Sequence, residues 1–402
     1  MSVKKVEFRS HEGNVLRGLL HLSNKPASVF AIFTHCFTCS KDLKSIKTIS
    51  SELARNGISV LRFDFTGLGE SEGDFSETNF TTTTMDIVSA AEFLEKNYFP
   101  PELLIGHSLG GAAVLQIADR IESSKAVVTI AAPSEPSHIL KHIGDKKDQI
   151  DHEGEASVQI EGRPFRIKKQ FLDDLEKNNM KKKIENLRRS LLILHSPFDN
   201  TVGIDNATGI FTAAKHPKSF ISLGNSDHLI SNSDDAVYTG KIISSWAGKY
   251  LEMDRGIKNE RENNPLTVIN EKYSYSSYII SGDHTMVSDE PVASGGDDLG
   301  PDPYRYLLSS LGSCTCMTLR MYSDRKKWSL DAVRVTLRHE KIHASDCEDC
   351  ETKEGKIDRI TRIIKLIGDL KPDQKKRLLE IADKCPVHRS LKSEISIKTE
   401  LE

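Results

Sequence analysis

Long apolar runs are missing from this 402-residue chain. No stretch approaches the roughly 20 apolar residues that span a bilayer, and the opening MSVKKVEFRS passes straight into polar and apolar alternation without the apolar heart of a secretion signal. A cytoplasmic location and no membrane partner are therefore expected. A surplus of charge is missing as well. With 55 basic residues against 58 acidic ones the net charge is −3, which offers nucleic acid no electrostatic footing. Cysteines number seven, an odd count that argues against a disulfide framework. Thiol chemistry, metal ligation or plain burial must then be weighed at each site.

What is present reads as ordinary globular protein, 38% hydrophobic and 28% charged. The length exceeds what one hydrophobic core usually fills, so two domains are expected. In the first, short apolar runs at 29–34, 59–65, 103–106, 126–131, 191–195 and 219–223 alternate with helical periodicity at 43–56, 84–97, 110–121 and 236–251. That rhythm predicts a mostly parallel sheet with helices on both faces, led by an antiparallel hairpin at 3–8 and 14–21 on its edge. A polar interval at about 134–190 interrupts it and is expected to form a small cap, with a hairpin around 158–167 that turns at Glu161-Gly162-Arg163 and a helix at 170–178.

The charged, Asn-rich stretch around 254–266 is the linker candidate, bounding domains at 1–253 and 267–402. Beyond it come strands near 267–287, a glycine-rich turn at 294–300, a helix at 303–324, strands at 330–343 and 356–367, a helix at 372–383 and a last strand at 394–399. This second layout is α+β, with few βαβ units.

Gly106-His107-Ser108-Leu109-Gly110 lies between a predicted strand and a predicted helix, the setting in which small residues hold a serine on a tight turn. A serine hydroxyl is a poor nucleophile until a base takes its proton, so a histidine oriented by a carboxylate should follow. Asp199 and His228 each come just after a later strand, whose ends share one sheet edge with Ser108. Asp205 and Asp227 are weaker candidates for the acid, and Asp64 is expected to organise its own loop. Backbone donors for an oxyanion are assigned to Leu109 and, in His35-Cys36-Phe37-Thr38-Cys39, to Phe37.

These residues resemble the alpha/beta hydrolase superfamily over about 5–250, and within it small esterases of the serine aminopeptidase or feruloyl esterase type. The resemblance implies ester hydrolysis through an acyl-enzyme, a small-molecule ester as substrate and no cofactor. One departure stands out, since the oxyanion loop of such esterases usually carries glycine where this chain has Cys36 and Cys39. Either two small residues are tolerated in a turn, or their oxidation distorts the oxyanion hole and makes hydrolysis redox-sensitive.

Residues 267–400 resemble the OsmC/Ohr family of thiol peroxidases through Gly300-Pro301-Asp302-Pro303-Tyr304, Leu311-Gly312-Ser313-Cys314-Thr315-Cys316 and Lys384-Cys385-Pro386-Val387-His388. On that pattern Cys314 attacks an organic hydroperoxide, Cys385 resolves the sulfenic acid, a dithiol restores both, and the chain is a homodimer. Cys316 falls on another helix face and is assigned to packing. A cation near Cys314 is expected from His388 or Arg389, because Cys314 lies too deep in its helix for the dipole to serve. Tyr304 stands where this family usually has Glu, which leaves the alternative that the domain only drives dimerisation or binds a ligand. His339, His343, Cys347 and Cys350 have ligand types and spacing for zinc, with a reducible dithiol or a purely structural role as the alternatives. The resemblance as a whole is to a bifunctional alpha/beta hydrolase fused to an OsmC-like domain.

Overall fold

Strands buried on both faces read as continuous apolar runs, and five such runs form the centre of the first unit. The computed structural model describes residues 2–23, 25, 29–36, 38–144, 146–160, 163–178, 180–253, 266–270, 275–346 and 354–401. Strands β1 (Ser2–Arg9), β2 (Val15–Leu22), β3 (Val29–Thr34), β4 (Ile58–Phe63), β5 (Leu103–His107) and β6 (Ala126–Ile130) lead the chain. With β9 (Ser190–His195) and β10 (Lys218–Ser222) they make an eight-stranded sheet in the order β1-β2-β4-β3-β5-β6-β9-β10. The β1–β2 and β2–β4 pairs are antiparallel and every other pair is parallel. The leading hairpin lies at the sheet edge, as its polar and apolar alternation implies.

Alternation along the central strands splits the core in two. Leu104, Val127 and Ile193 face one side; Leu103, Ile105, Val128 and Leu192 face the other. Helices α1 (Lys44–Arg55), α2 (Phe80–Asn97) and α3 (Leu109–Ile117) follow β3, β4 and β5, the last after a single-residue turn at Ser108. Ile46, Ile49 and Leu53 of α1 close the second side, while Ile87 and Leu94 of α2 and Val114 of α3 close the first.

The polar interval holds α4 (Leu140–Ile143), α5 (Lys146–Glu153), β7 (Glu155–Ile160), β8 (Arg163–Lys168), α6 (Lys169–Lys177) and α7 (Met180–Glu185). The hairpin turn at 161–162 lies outside the described residues. Helices α4, α5 and α7 escape the sequence pattern because they are short and mostly polar; α5 buries only Ile150. Helix α6 is legible because Phe171, Leu172 and Leu175 share one buried face. Helices α8 (Asp205–Ala213) and α9 (Ser233–Ala247) complete the layers, with α9 on the side of α1.

The chain divides into two compact units, Met1–Gly300 and Pro301–Glu402. Most of the expected linker, 254–265, lies outside the described residues. The meander β11 (Thr267–Asn270), β12 (Ser277–Ser281) and β13 (His284–Ser288) falls in the first unit, because Tyr278, Val287 and Leu299 are buried in its core.

In the second unit α10 (Pro303–Lys326) is capped by Asp302 and packs on a long hairpin, β14 (Ala332–His343) and β15 (Lys356–Ile367). Its small core joins Leu319, Leu330, Leu370 and Leu378, the last from α11 (Pro372–Ala382). The strand expected at 394–399 is not formed. The segment has no regular structure, with Ile395 and Ile397 exposed, since alternation alone makes no strand without a neighbour to complete the ladder. Just before it the chain makes α12 (Pro386–Leu391) instead, with Pro386 in its first turn and the Cys385 side chain accepting from the His388 N–H.

Candidate active site

Ser108 sits between β5 and α3 with φ 55° and ψ −125°, a conformation that a residue with a Cβ adopts only under constraint. The constraint comes from crowding. A Cβ on Gly106 would stand 2.2 Å from the Gly110 carbonyl oxygen, and one on Gly110 would stand 2.5 Å from that of His35. Both positions must be glycine for strand and helix to approach this closely. The Ser108 N–H is tied to the Ile130 carbonyl on the neighbouring strand at 2.8 Å, which fixes the turn.

Loops leaving the same sheet edge bring two partners to it. The Ser108 hydroxyl lies 3.1 Å from His228 Nε2, and His228 Nδ1 donates to Asp199 Oδ2 at 2.7 Å. The other Asp199 oxygen accepts from the Thr201 and Val202 N–H groups at 2.8 and 2.9 Å. Burial opposes ionisation of Asp199, but the His228 contact and those two N–H donors outweigh it and hold the carboxyl below the usual carboxylate range. The other two acids lie elsewhere: Asp227 accepts from the Ser231 N–H at 2.8 Å, and Asp205 opens α8.

Leu109 is the first residue of α3, where a backbone N–H has no intrahelical acceptor. Phe37 lies outside the described residues. Cys36 and Cys39 on either side of it are joined as a disulfide. Beyond that loop Lys41 is buried and ion-paired with Asp64 at 2.8 Å and with Glu70 at 2.6 Å, while Arg62 donates to the Lys41 carbonyl. Asp64 thus organises its loop through Lys41, a partner 23 residues earlier that no local pattern announces.

A narrow cavity of about 20 Å³ opens beside the oxyanion loop, walled by Cys36, Phe65, Leu68, Phe75, Leu109 and the cap residue Phe171. Thr66 completes one wall and is held by Asp86, which accepts from its N–H at 2.8 Å and its hydroxyl at 3.1 Å. Burial pushes Asp86 up to about 7. The folded state therefore binds the extra proton between about pH 4 and 7, and stability falls as pH rises through that window, by at most about 4 kcal/mol. Asp86→Asn carries no charge to bury, so its melting temperature should gain on the wild type from pH 4 to pH 8 by several degrees. A gap in melting temperature that does not change with pH would contradict this.

In the second unit Cys385 is fully buried, accepts from the His388 N–H at 3.3 Å and lies 3.8 Å from the Thr315 hydroxyl. Arg362 on β15 donates to Thr315 at 2.9 Å and to Asp383 at 2.6 Å, so a cation from a strand is held on the residue beside this thiol. His388 and Arg389, expected to bring a cation to Cys314, lie on α12 directly after Cys385. His388 has its pKa lowered by burial and by Arg362. Cys314 is half-buried and, like Cys385, is a free thiol. Cys316 turns toward the Val333 carbonyl at 3.9 Å, on another helix face, and burial raises its pKa. His339 stacks on Tyr304 at 4.4 Å and meets Asp358 at 2.8 Å. His343 ends β14, and Cys347 and Cys350 lie outside the described residues. Among the described residues no helix is long and apolar enough to cross a membrane.

A mostly parallel sheet with a strained serine on the carboxyl edge of a central strand, followed by an acid and a histidine in that chain order, is the architecture of an alpha/beta hydrolase. The serine aminopeptidase S33 family model matches residues 40–148, and the OsmC-like protein model matches 295–400. The esterase domain of a Rhodothermus marinus protein is 47% identical, covers 62% of this chain and 99% of its own, and superposes with a TM-score of 0.52. The chain belongs to the alpha/beta hydrolases of esterase type and carries an OsmC-like domain at its C-terminal end. Thiohydrolase aneE of Aspergillus aculeatus is 32% identical over 160 residues, 38% of this chain and 49% of that protein. Est1E of Butyrivibrio proteoclasticus, solved with ferulic acid, is 18% identical over 61% of this chain and 98% of its own, with a TM-score of 0.54, and shares the fold.

Proposed function

We propose that the first unit hydrolyses carboxylic esters of small molecules through an acyl-enzyme on Ser108. The observation that carries this reading is the unbroken hydrogen-bonded line from Asp199 through His228 to the Ser108 hydroxyl. His228 Nε2 takes the hydroxyl proton as the oxygen attacks the acyl carbon. The N–H of Leu109, with a second donor assigned to Phe37, receives the negative charge of the tetrahedral intermediate. His228 then returns the proton to the leaving alcohol, and water repeats the sequence to release the acid. Labelling of Ser108 by a fluorophosphonate, with a burst of alcohol equal to the enzyme concentration, tests it; a wild-type enzyme that neither labels nor bursts overturns it.

The acyl group is assigned to the narrow cavity beside Leu109 and Cys36, because the larger one of about 710 Å³ is walled by α7 and α8 and touches neither residue. Phe65, Phe75 and Phe171 make the chosen cavity short and aromatic. Activity should favour compact acyl groups and fall along a series of lengthening fatty acyl esters, and Phe171→Ala should shift the optimum to longer chains. An unchanged profile in that variant would sink the assignment.

The disulfide supports the redox reading of the oxyanion loop. Exchange with dithiothreitol returns Cys36 and Cys39 to thiols and is expected to raise the ester turnover, by no more than the roughly 1000-fold ceiling for one oxyanion donor. Equal rates in oxidised and reduced enzyme would remove the redox claim.

For the second unit we propose hydroperoxide reduction. The Cys314 thiolate breaks the O–O bond, giving an alcohol and a sulfenic acid; the Cys385 thiol condenses with it, releasing water, and a dithiol reduces the disulfide. The Arg362 and Thr315 surroundings of Cys385 support this role. Cys314→Ser should abolish turnover of an organic hydroperoxide; equal rates would leave the domain to assembly. A specific observation favours assembly as a further role: Met317 and Met321 on α10 and Ile363 on β15 are exposed. A homodimer near twice 44.9 kDa is expected by light scattering.

A further inference from the structure

Three histidines outside the triad stand at the carboxyl ends of sheet strands, and each is bonded to one of the loops that must converge for chemistry. His35 follows β3, and its Nδ1 lies 2.8 Å from the Cys36 carbonyl of the oxyanion loop. His107 ends β5, with Nε2 2.7 Å from the backbone carbonyl of His228 itself. His195 ends β9, with Nε2 2.7 Å from the carbonyl of Val202, whose own N–H holds Asp199.

A carbonyl can only accept, so the nitrogen facing it carries the proton in every case. The second nitrogen of each ring then has only a lone pair. At His35 that lone pair accepts weakly from the Phe65 N–H at 3.4 Å; at His107 and His195 the buried Nδ1 meets no partner among the described residues. None of the three rings exposes more than 2% of its residue surface. Burial pulls all three below the ordinary histidine range, His107 to about 3, so each remains a neutral single donor.

We propose that His35, His107 and His195 are positioning residues for ester hydrolysis, each donating one N–H to lock the oxyanion loop, the His228 loop and the Asp199 loop onto the rigid sheet edge. The proposal rests on the Ser108 hydrolase reading. Its force lies in where the bonds go: three rings from three strands reach three different loops, and each loop carries one functional group. Catalytic groups must be held to about half an ångström, and a misplacement of about 1 Å can cost roughly 100-fold in rate.

The two ring nitrogens allow a test that packing alone cannot mimic. A glutamine amide reaches the Nε2 position, whereas an asparagine amide reaches Nδ1. Leucine at any of the three positions should lower kcat about 10- to 100-fold with KM held within about threefold. Gln should restore kcat at 107 and 195 but not at 35, and Asn should restore it at 35 but not at 107 or 195. If a leucine variant does not fold, judged by circular dichroism, the Gln and Asn pair still reads out at that position. Equal kcat for Gln and Asn at all three positions, or a folded leucine set with wild-type kcat, would overturn the proposal. Wild-type rates in Ser108→Ala would instead bring down the hydrolase reading beneath it.

Discussion

Ser108→Ala should lower kcat/KM on an activated ester by about 10⁵-fold or more, and adding His228→Ala should then cost almost nothing further. The two groups act as one device. Without the hydroxyl there is nothing for His228 to deprotonate, so the second loss has no step left to slow. Steady-state assays on the two single variants and the double variant give the comparison, and additive losses would mean that the two residues act independently. The same position links function to strain. Alanine keeps the Cβ that φ 55° disfavours, whereas glycine releases it, so Ser108→Gly should melt a few degrees higher while being as inactive. A lower melting temperature for the glycine variant would show that the turn is not strained.

Asp199→Asn should lower kcat by about 10⁴-fold while leaving the fold intact. As a carboxylate, Asp199 only accepts, and it therefore fixes the proton of His228 on Nδ1 and turns the lone pair of Nε2 toward Ser108. An asparagine can still accept from the Thr201 and Val202 N–H groups, which preserves the loop. Its amide would then face His228 as a donor and favour the wrong tautomer. Asp199→Ala should also be inactive but less stable, because those two N–H groups lose their acceptor. Comparing kcat with melting temperature across the pair separates the tautomer effect from loop support, and a fully active asparagine variant would mean that another acid serves His228.

Much of the first unit can be read from the chain because its central strands are apolar on both faces. Such runs, broken by turns, have few alternatives in a globular protein, and β3 follows from them directly, while the leading hairpin follows from its polar and apolar alternation. The serine turn is legible for a related reason: glycine at 106 and 110 is a steric requirement, which leaves a mark on the sequence. Positions after strands point to Asp199 and His228 because parallel strands end on a common edge. Other features leave no such mark. The short polar helices of the cap bury too few residues to impose a period, and Ile395 and Ile397 alternate like a strand where no neighbour completes one.

Residue type and spacing along the chain thus specify the chemistry available: a serine that can attack, a histidine and an acid placed to activate it, and two families of domain with distinct cysteines. They do so because steric limits and strand ends are local properties. Packing joins Asp199 to His228, gives Lys41 to Asp64, sets Arg362 on the Thr315 that touches Cys385, and points three buried imidazoles at three loops. Apart from the His35–Cys36 contact between neighbours in the chain, each joins residues on different elements or across a turn, so it depends on how elements meet in space, which no short stretch of sequence records.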